Sequence, residues 1–308
     1  MDFLVNWLAA TPVFAVPLIL ASIGLIINER AGVLNLGAEG IMLCGALAGI
    51  AFYIEISNNV TVALFGSMLA GIILSFFFGC LIVLLRANQV VSGITMVFFG
   101  SGLTGFIGPN WADKTVKGIE KLDLFFLSDL PFVGRIFFSQ DLMVYITLVI
   151  GLFVWWVLFF TRFGLELRAV GDNPQASDSN AINVTMYRLS CVIIGGALIG
   201  LAGGYLSLAS AKVFAFDMTY GRGWIAIALV IFARWSPWRA ILGGLLFGSI
   251  EALIPRVLAT GIAVPQYFLH MTPYFATLVV LIYAAIRDPS GQGAPNSLGT
   301  PYIREDRK

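Results

Sequence analysis

Charge is what this sequence lacks most. Lys, Arg, Asp and Glu make up 11% of its 308 residues, where about 25% is ordinary for a soluble domain. So few charges cannot cover the surface of a water-soluble protein of this size. Histidine is nearly absent: His270 stands alone, which excludes most zinc sites and histidine-dependent hydrolases. The three cysteines, Cys44, Cys80 and Cys191, lie in apolar runs without metal-ligand spacing and read as small buried hydrophobes. G-x-x-x-x-G-K-[ST], H-E-x-x-H and G-x-S-x-G are all missing, so the chain carries no P-loop and no recognisable hydrolytic motif. An intramembrane hydrolase would need paired aspartates within spans, and Asp141 and Asp217 sit at span edges instead. The chain is therefore not expected to be an enzyme, nor to hold a metal or cofactor of its own. A net charge of +1 gives no reason to expect nucleic acid as a partner.

What is abundant is apolar surface. Hydrophobic residues account for 59% of the chain, and spans of roughly 20 apolar residues recur along it. They predict helices over 8–27, 36–57, 60–85, 91–107, 141–161, 189–210, 221–234, 241–258 and 273–287. In lipid every backbone amide must be bonded internally. The expected fold is thus an all-α integral membrane protein, a polytopic bundle of about nine transmembrane helices with discontinuous segments. The first span has no basic residue before it and no small-residue cleavage site after it, so it reads as a retained helix rather than a signal peptide. The expected organisation is a membrane domain over 1–287 and a Gly-, Pro- and Ser-rich tail over 288–308, expected to be a disordered cytoplasmic extension. Placing the 162–188 loop in the cytoplasm puts Arg30, Arg86, Arg162, Arg168, Arg188, Arg234, Arg239, Arg287, Arg304, Arg307 and Lys308 inside. That satisfies the positive-inside rule, with the N-terminus outside and the C-terminus cytoplasmic.

Three stretches break the helical pattern. "GVLNLGAEGIMLCG" (32–45) brings Asn35, Glu39 and four glycines into the start of a span. A carboxylate at mid-bilayer costs about 2.5–3.5 kcal/mol on insertion scales, and Glu39, expected close to the inner end of its span, should cost less. "RANQVVSGITM" (86–96) clusters Asn88, Gln89 and Thr95 just before Phe98 and Phe99, and "FDMTYGRGWIAIAL" (216–229) places two glycines before Trp224. Gly-rich polar backbone at membrane depth is tolerated only where it is buried in protein or lines a wet cavity, and broken segments of this kind mark binding sites in transporters. Asn35, Glu39, Asn88, Gln89, Thr95, Phe98, Phe99 and Trp224 are thus the candidate solute path. A competing reading makes Glu29, Arg30 and Glu39 a structural ion-pair group and the aromatics packing or interface residues.

The segment 162–188, "RFGLELRAVGDNPQASDSNAINVTMYR", carries a helix start at Asp172-Asn173-Pro174, a capping side chain followed by Pro in the first turn. The short helix expected over 174–183 is too polar for lipid and too short to stand alone, so it is expected to dock on a partner protein. The outer segment 108–139 is expected to lie along the membrane surface.

"ERAGVLNLGAEGIMLCGALAG" (29–49), "RANQVVSGITM" (86–96) and "FGLELRAVGDNPQASDSNAINV" (163–184) resemble the permease subunits of bacterial ABC importers in the branched-chain amino acid and ribose permease superfamily. The resemblance runs from about residue 8 to 287. Glu39 in its setting resembles the nucleoside-uptake type, whereas amino-acid permeases carry a histidine-containing turn there and ribose-type permeases an Asp-Leu-Ser sequence. The resemblance implies a multi-pass protein of the bacterial inner membrane that moves nucleosides by alternating access. It implies three partners: an ATPase subunit that uses ATP and Mg, a second homologous permease, and an extracytoplasmic solute-binding protein that meets the face near 130–138. It also assigns ATPase coupling to Arg168, Gly171, Asp172, Asn173, Pro174, Gln175 and Ala176. The polar "SDSN" at 177–180 departs from the more basic or Ala-rich stretch of such permeases and makes that interface unusually polar. A simple-sugar importer and an ion-coupled secondary transporter, for which Glu251 would be the mid-span charge, are the alternatives.

Overall fold

The apolar runs fold into helices almost throughout a computed structural model that describes residues 2–112, 114–122, 134–259, 265–287 and 293–304. In chain order these are α1 (Asp2–Arg30), α2 (Ala38–Phe52), α3 (Val60–Gly79), α4 (Gln89–Ile107), α5 (Leu142–Phe160), α6 (Arg162–Asp172), α7 (Pro174–Ser179), α8 (Val184–Tyr205), α9 (Arg222–Phe232), α10 (Pro237–Ala259) and α11 (Gln266–Arg287). Wider π-helical turns extend α2, α3 and α8 to Ser57, Leu84 and Ala211. The fold is a polytopic all-α membrane bundle. Seven described helices are long and apolar enough to cross a membrane. The expected span 221–234 is instead an 11-residue helix.

Two helices, α1 and α8, form the centre. From Ala15 to Ile27 nearly every α1 side chain is buried, as expected for a membrane helix enclosed by other helices rather than by lipid. Helix α8 is central because it is thin. Gly196, Gly200 and Gly204 repeat every four residues, which places them on one helical face. They meet a matching stripe on α3, Ser67, Gly71 and Ser75. A Cβ built on Gly200 would lie 2.4 Å from the Ser67 carbonyl oxygen and 2.8 Å from the Gly71 Cα. On neighbouring faces, Gly195 abuts the Gly24 carbonyl of α1 and Gly203 the Met42 carbonyl of α2. In a membrane the hydrophobic effect does not drive helix against helix, so close van der Waals approach between small residues has to.

Helices α2 and α4 run in parallel from the end of the bundle marked by Arg30. Gly93 lies against Leu36, Gly37 against Met96, and Gly40 and Gly100 against each other's backbone. At that same end Glu29 accepts a hydrogen bond from Trp235 Nε1 at 2.5 Å. Arg30 donates to the Trp235 carbonyl at 3.1 Å and lies over the Phe159 ring.

The tail differs from expectation. Residues 293–304 are folded into turns against the Arg30 end rather than extended in solvent: Pro295 and Ser297 are buried. Ser297 N donates to the Gly171 carbonyl at 3.0 Å, and Arg304 pairs with Asp178 at 3.0 Å. Burial, and the bond to Asp178, hold the Tyr302 phenol above its usual range. Gly-, Pro- and Ser-rich composition signalled irregular backbone correctly, but irregular backbone with buried partners is not disorder. Residues 288–292 and 305–308 lie outside the described residues, as do 123–133 of the outer segment.

Gly200→Leu should force α3 and α8 apart and destabilise the protein by roughly 1–3 kcal/mol or more, read as a lower thermal unfolding midpoint in detergent. Gly102→Ala, where a Cβ meets nothing within 4 Å, should leave the midpoint unchanged.

Candidate functional site

The broken segment at 216–229 is the centre of the site. Phe214 is fully buried and packs on Gly108 at the end of α4 away from Arg30. From there the chain enters the bundle without forming a helix. Lys212, Asp217, Tyr220 and Gly221 all have positive φ, and short turns bond Tyr220 N to the Asp217 carbonyl and Arg222 N to the Thr219 carbonyl. Helix α9 then starts at Arg222 and runs toward the Arg30 end, reaching Trp235 beside Glu29. Its 11 residues rise about 16 Å, half of a hydrocarbon core about 30 Å thick. The start of α9 therefore lies near the middle of the membrane.

Exposed amides at a helix start carry partial positive charge. Here Glu39 supplies the counter-charge from another helix. One carboxylate oxygen accepts from Gly221 N at 2.8 Å and the other from Gly223 N at 2.6 Å. Gly223 allows this approach because a Cβ there would stand 2.6 Å from the Glu39 Cα. Gly221, at φ 74°, turns the chain into the helix. The Glu29–Arg30–Glu39 ion group considered from the sequence does not form: each of the three has the separate partners just described.

The eight path residues fall into two groups. Asn35, Asn88 and Gln89 gather where α2 and α4 begin. Asn35 is fully buried; its Oδ1 accepts from Gly37 N at 3.0 Å, while its Nδ2 has no partner among the described residues. Gln89 Oε1 accepts from Leu34 N at 2.7 Å. Asn88 caps α4, accepting from Val90 N and Val91 N at 3.0 and 3.1 Å. Glu39 and Trp224 lie deeper, at the start of α9, while Phe98 and Phe99 lie further along α4. Phe98 is 73% exposed, Phe99 52% and Trp224 41%, with Thr95 on the same exposed stretch of α4, its hydroxyl bonded to the Val91 carbonyl.

The sequence reading missed the other side of the break. Arg222 and Glu251 pair at 2.9 Å, and Tyr274 donates to the Tyr220 carbonyl at 2.5 Å. These groups edge a cavity of about 540 Å³ with otherwise largely apolar walls, including Phe14, Met218 and Ile225. That volume lies within the range of small-molecule sites, about 300–1,000 Å³. Glu251 was recognisable as a mid-span charge; Arg222, next to a glycine break, carried no signal of a partner 29 residues on.

The coupling candidates lie at the Arg30 end. Helix α6, absent from the sequence reading, is capped by Thr161, whose Oγ1 accepts from Gly164 N at 3.2 Å. Arg168 lies over the Phe159 ring at 5.2 Å. Gly171 sits where a Cβ would be 2.2 Å from the Arg30 carbonyl oxygen. Helix α7 begins at Pro174, as the motif predicted, with Asn173 as the cap, accepting from Ala176 N at 2.9 Å. It stops at Ser179 instead of 183 because Ala181 adopts φ 62°. Asp172, Asn173, Gln175 and Ala176 are exposed.

Glu39→Ala would leave two mid-membrane amides without their acceptor, costing about 1–3 kcal/mol for each unsatisfied group. Glu39→Gln keeps one acceptor and should cost less. Hydrogen exchange should rise over peptides covering 216–226 in the order wild type, Gln, Ala, with the α3–α8 interface unaffected.

Residues 8–284 match the family model described as the permease component of the branched-chain amino acid transport system. TsgC13 of Haloferax volcanii, provisionally a glucose ABC transporter permease protein, is 37% identical over 99% of this chain and 99% of its own. The nucleoside ABC transporter permease protein NupC of Lactococcus lactis is 36% identical over 95% of each chain. The guanosine ABC transporter permease protein NupQ of Bacillus subtilis is 34% identical over 97% of this chain and 96% of its own. A second guanosine permease protein of the same bacterium, NupP, is more distant, 27% identical over 76% of this chain and 70% of its own. No solved structure matches. With the match covering nearly its whole length, this chain belongs to the family of branched-chain amino acid transport system permease components.

Proposed function

We propose that this chain is the membrane permease of an ATP-driven importer that takes up nucleosides by alternating access. The observation that carries the proposal is the half-helix whose start, held by Glu39, lies inside the bundle beside exposed aromatics, in a chain aligned end to end with nucleoside permeases. A broken helix offers backbone polar groups at mid-membrane. Phe98, Phe99 and Trp224 offer flat surfaces for a base to stack on, with Thr95 and the adjoining polar backbone for hydroxyls. Gln89 holds the α1–α2 turn against α4 through Leu34, while Asn35 and Asn88 shape that turn and the start of α4, and together they form the inner end of the path.

The proposed orientation puts the N-terminus outside and the Arg30 end in the cytoplasm, so that basic residues lie inside. Residues 1–287 then form one membrane domain. The ATPase subunit, which holds ATP and Mg, docks on the exposed edge of α6 and α7 through Asp172, Asn173, Pro174, Gln175 and Ala176. Arg168 and Gly171 fix that edge to Phe159 and Arg30, so a push on α7 reaches α1 directly. This chain makes and breaks no covalent bond. A binding protein delivers solute at the opposite end. A second, homologous permease covers the exposed aromatic face; the NupQ–NupP pair in one bacterium, with this chain nearer NupQ, supports two unlike subunits.

Glucose is the second reading, favoured by the similarity to TsgC13. Uptake of labelled guanosine by cells carrying the complete system should be blocked by excess unlabelled nucleoside and spared by glucose. Uptake of labelled glucose with none of guanosine would transfer the proposal to sugars. Trp224→Ala and Phe99→Ala should each raise the KM for a nucleoside about 2- to 10-fold, from the loss of about 0.5–1.5 kcal/mol of stacking.

A further inference from the structure

The segment 293–304 makes bonds that reach α6, α7, α8, the start of α4 and the α1–α2 turn. Gly171 O, near the end of α6, is one of the carbonyls a helix leaves without an internal partner. It accepts both the Ser297 backbone N–H at 3.0 Å and the Ser297 hydroxyl at 2.6 Å. Ser297 Oγ in turn accepts from the Arg188 guanidinium of α8 at 3.0 Å. The other terminal nitrogen of Arg188 donates to the Thr300 carbonyl at 2.9 Å, and Gln89 of α4 donates to that same carbonyl at 3.5 Å. Gly299 N donates to the Gly32 carbonyl in the α1–α2 turn at 3.3 Å. Arg304 pairs with Asp178 of α7 at 3.0 Å, and the Tyr302 hydroxyl bonds to the same carboxylate.

These contacts differ in weight. The Arg304–Asp178 pair is exposed, at 76% and 27% of the two side chains, and such pairs contribute little. Ser297 is different because it is 8% exposed and Arg188 is 3% exposed. A buried guanidinium needs its donors satisfied, and in this pocket it donates to two oxygens that both belong to 297–300. Removing Ser297 Oγ takes one acceptor from Arg188 and one donor from the end of α6 together. The chain turns tightly enough to do this because Gly299 takes φ 78° and Thr300 N closes on the Ser297 carbonyl.

We propose that residues 293–304 are a coupling strap, with Ser297 as the positioning residue that ties the end of α6 to Arg188 on α8 and, through Thr300 and Gly299, to the starts of α4 and α2. The inference rests on the proposal that α6 and α7 receive the ATPase. A displacement of α6–α7 is passed through the strap to α2, α4 and α8, which are the helices that position Glu39 and the aromatic face of the path. Without the strap the ATPase still seats on α7, but less of its stroke reaches the path, because only the direct contacts of α6 and α7 with α1 and α8 are left to carry it.

The test is made on the complete importer in liposomes, with uptake of labelled solute and ATP hydrolysis measured together. A chain ending at residue 292 and the Ser297→Ala variant are compared with wild type, and Asn296→Ala, on an exposed position, is the control. The truncated chain should co-purify with its ATPase and hydrolyse ATP at a rate within a few-fold of wild type, while solute moved per ATP falls about tenfold. Ser297→Ala, which changes little volume, should lower the same ratio several-fold with only a small drop in the unfolding midpoint, and Asn296→Ala should change neither. An unchanged ratio in Ser297→Ala would overturn the strap, as would a loss of uptake strictly proportional to a loss of hydrolysis. Should the truncated chain fail to assemble, Ser297→Ala decides the matter alone. If wild type itself shows no ATP-dependent uptake, the fault lies with the importer assignment, not with the strap.

Discussion

The site depends on one carboxylate bonded to two amides. Glu39 opens α2, and Gly221 and Gly223 open α9, 182 and 184 residues further on. Without an acceptor the first amides of α9 would stand unsatisfied near the middle of a membrane. There an unpaired backbone donor costs several kcal/mol. Without the amides, Glu39 would be a carboxylate at membrane depth with nothing to offset its desolvation. Each group makes the other tolerable, and together they allow a helix to start where the bundle would otherwise be continuous. The irregular backbone of 212–220, the cavity beside Arg222 and Glu251, and the exposed position of Trp224 all follow from that start.

The rest of the fold holds α2 and α9 close enough for this bond. Gly40 and Gly100 set the distance between α2 and α4. The glycine stripe of α8 sets its distance from α3, and Gly203 brings α8 against α2. Packing of this kind is stiff, because backbones in contact leave no side chains to adjust. A stiff core with a non-helical entry at 212–220 suits a protein whose parts move against each other as bodies. The same reasoning distinguishes the two ends. At the Arg30 end, side chains bond across helices: Glu29 to Trp235, Gln89 to Leu34, Arg188 to Ser297. That is where a push from outside the membrane has to be received.

Much of this was legible in the sequence, for identifiable reasons. The scarcity of charge placed the chain in a membrane, and the apolar runs located the helices, because span length is set by the bilayer and not by neighbours. The breaks at 32–45, 86–96 and 216–229 were visible because glycine and amide residues are rare where a span should run on. What they do was not visible. Asn35 looked like a solute ligand but bonds local backbone, Gln89 bonds the backbone of Leu34 on the α1–α2 turn, and only the fold shows that Glu39 serves a helix start far along the chain. Helix α6 escaped notice because an 11-residue amphipathic helix lying outside the spans has no bilayer-set length. The tail was misjudged for a related reason. Its composition has no periodicity, and its order comes from Gly171 and Arg188, more than a hundred residues away.

The account is tested most directly by an experimental density map of the assembled protein in a lipid nanodisc, at a resolution that shows carboxylates. It predicts non-helical backbone over 214–220, α9 starting at Arg222 inside the membrane, and both Glu39 oxygens about 3 Å from the Gly221 and Gly223 nitrogens. A continuous helix through 205–232, or Glu39 turned away from those amides, would contradict it.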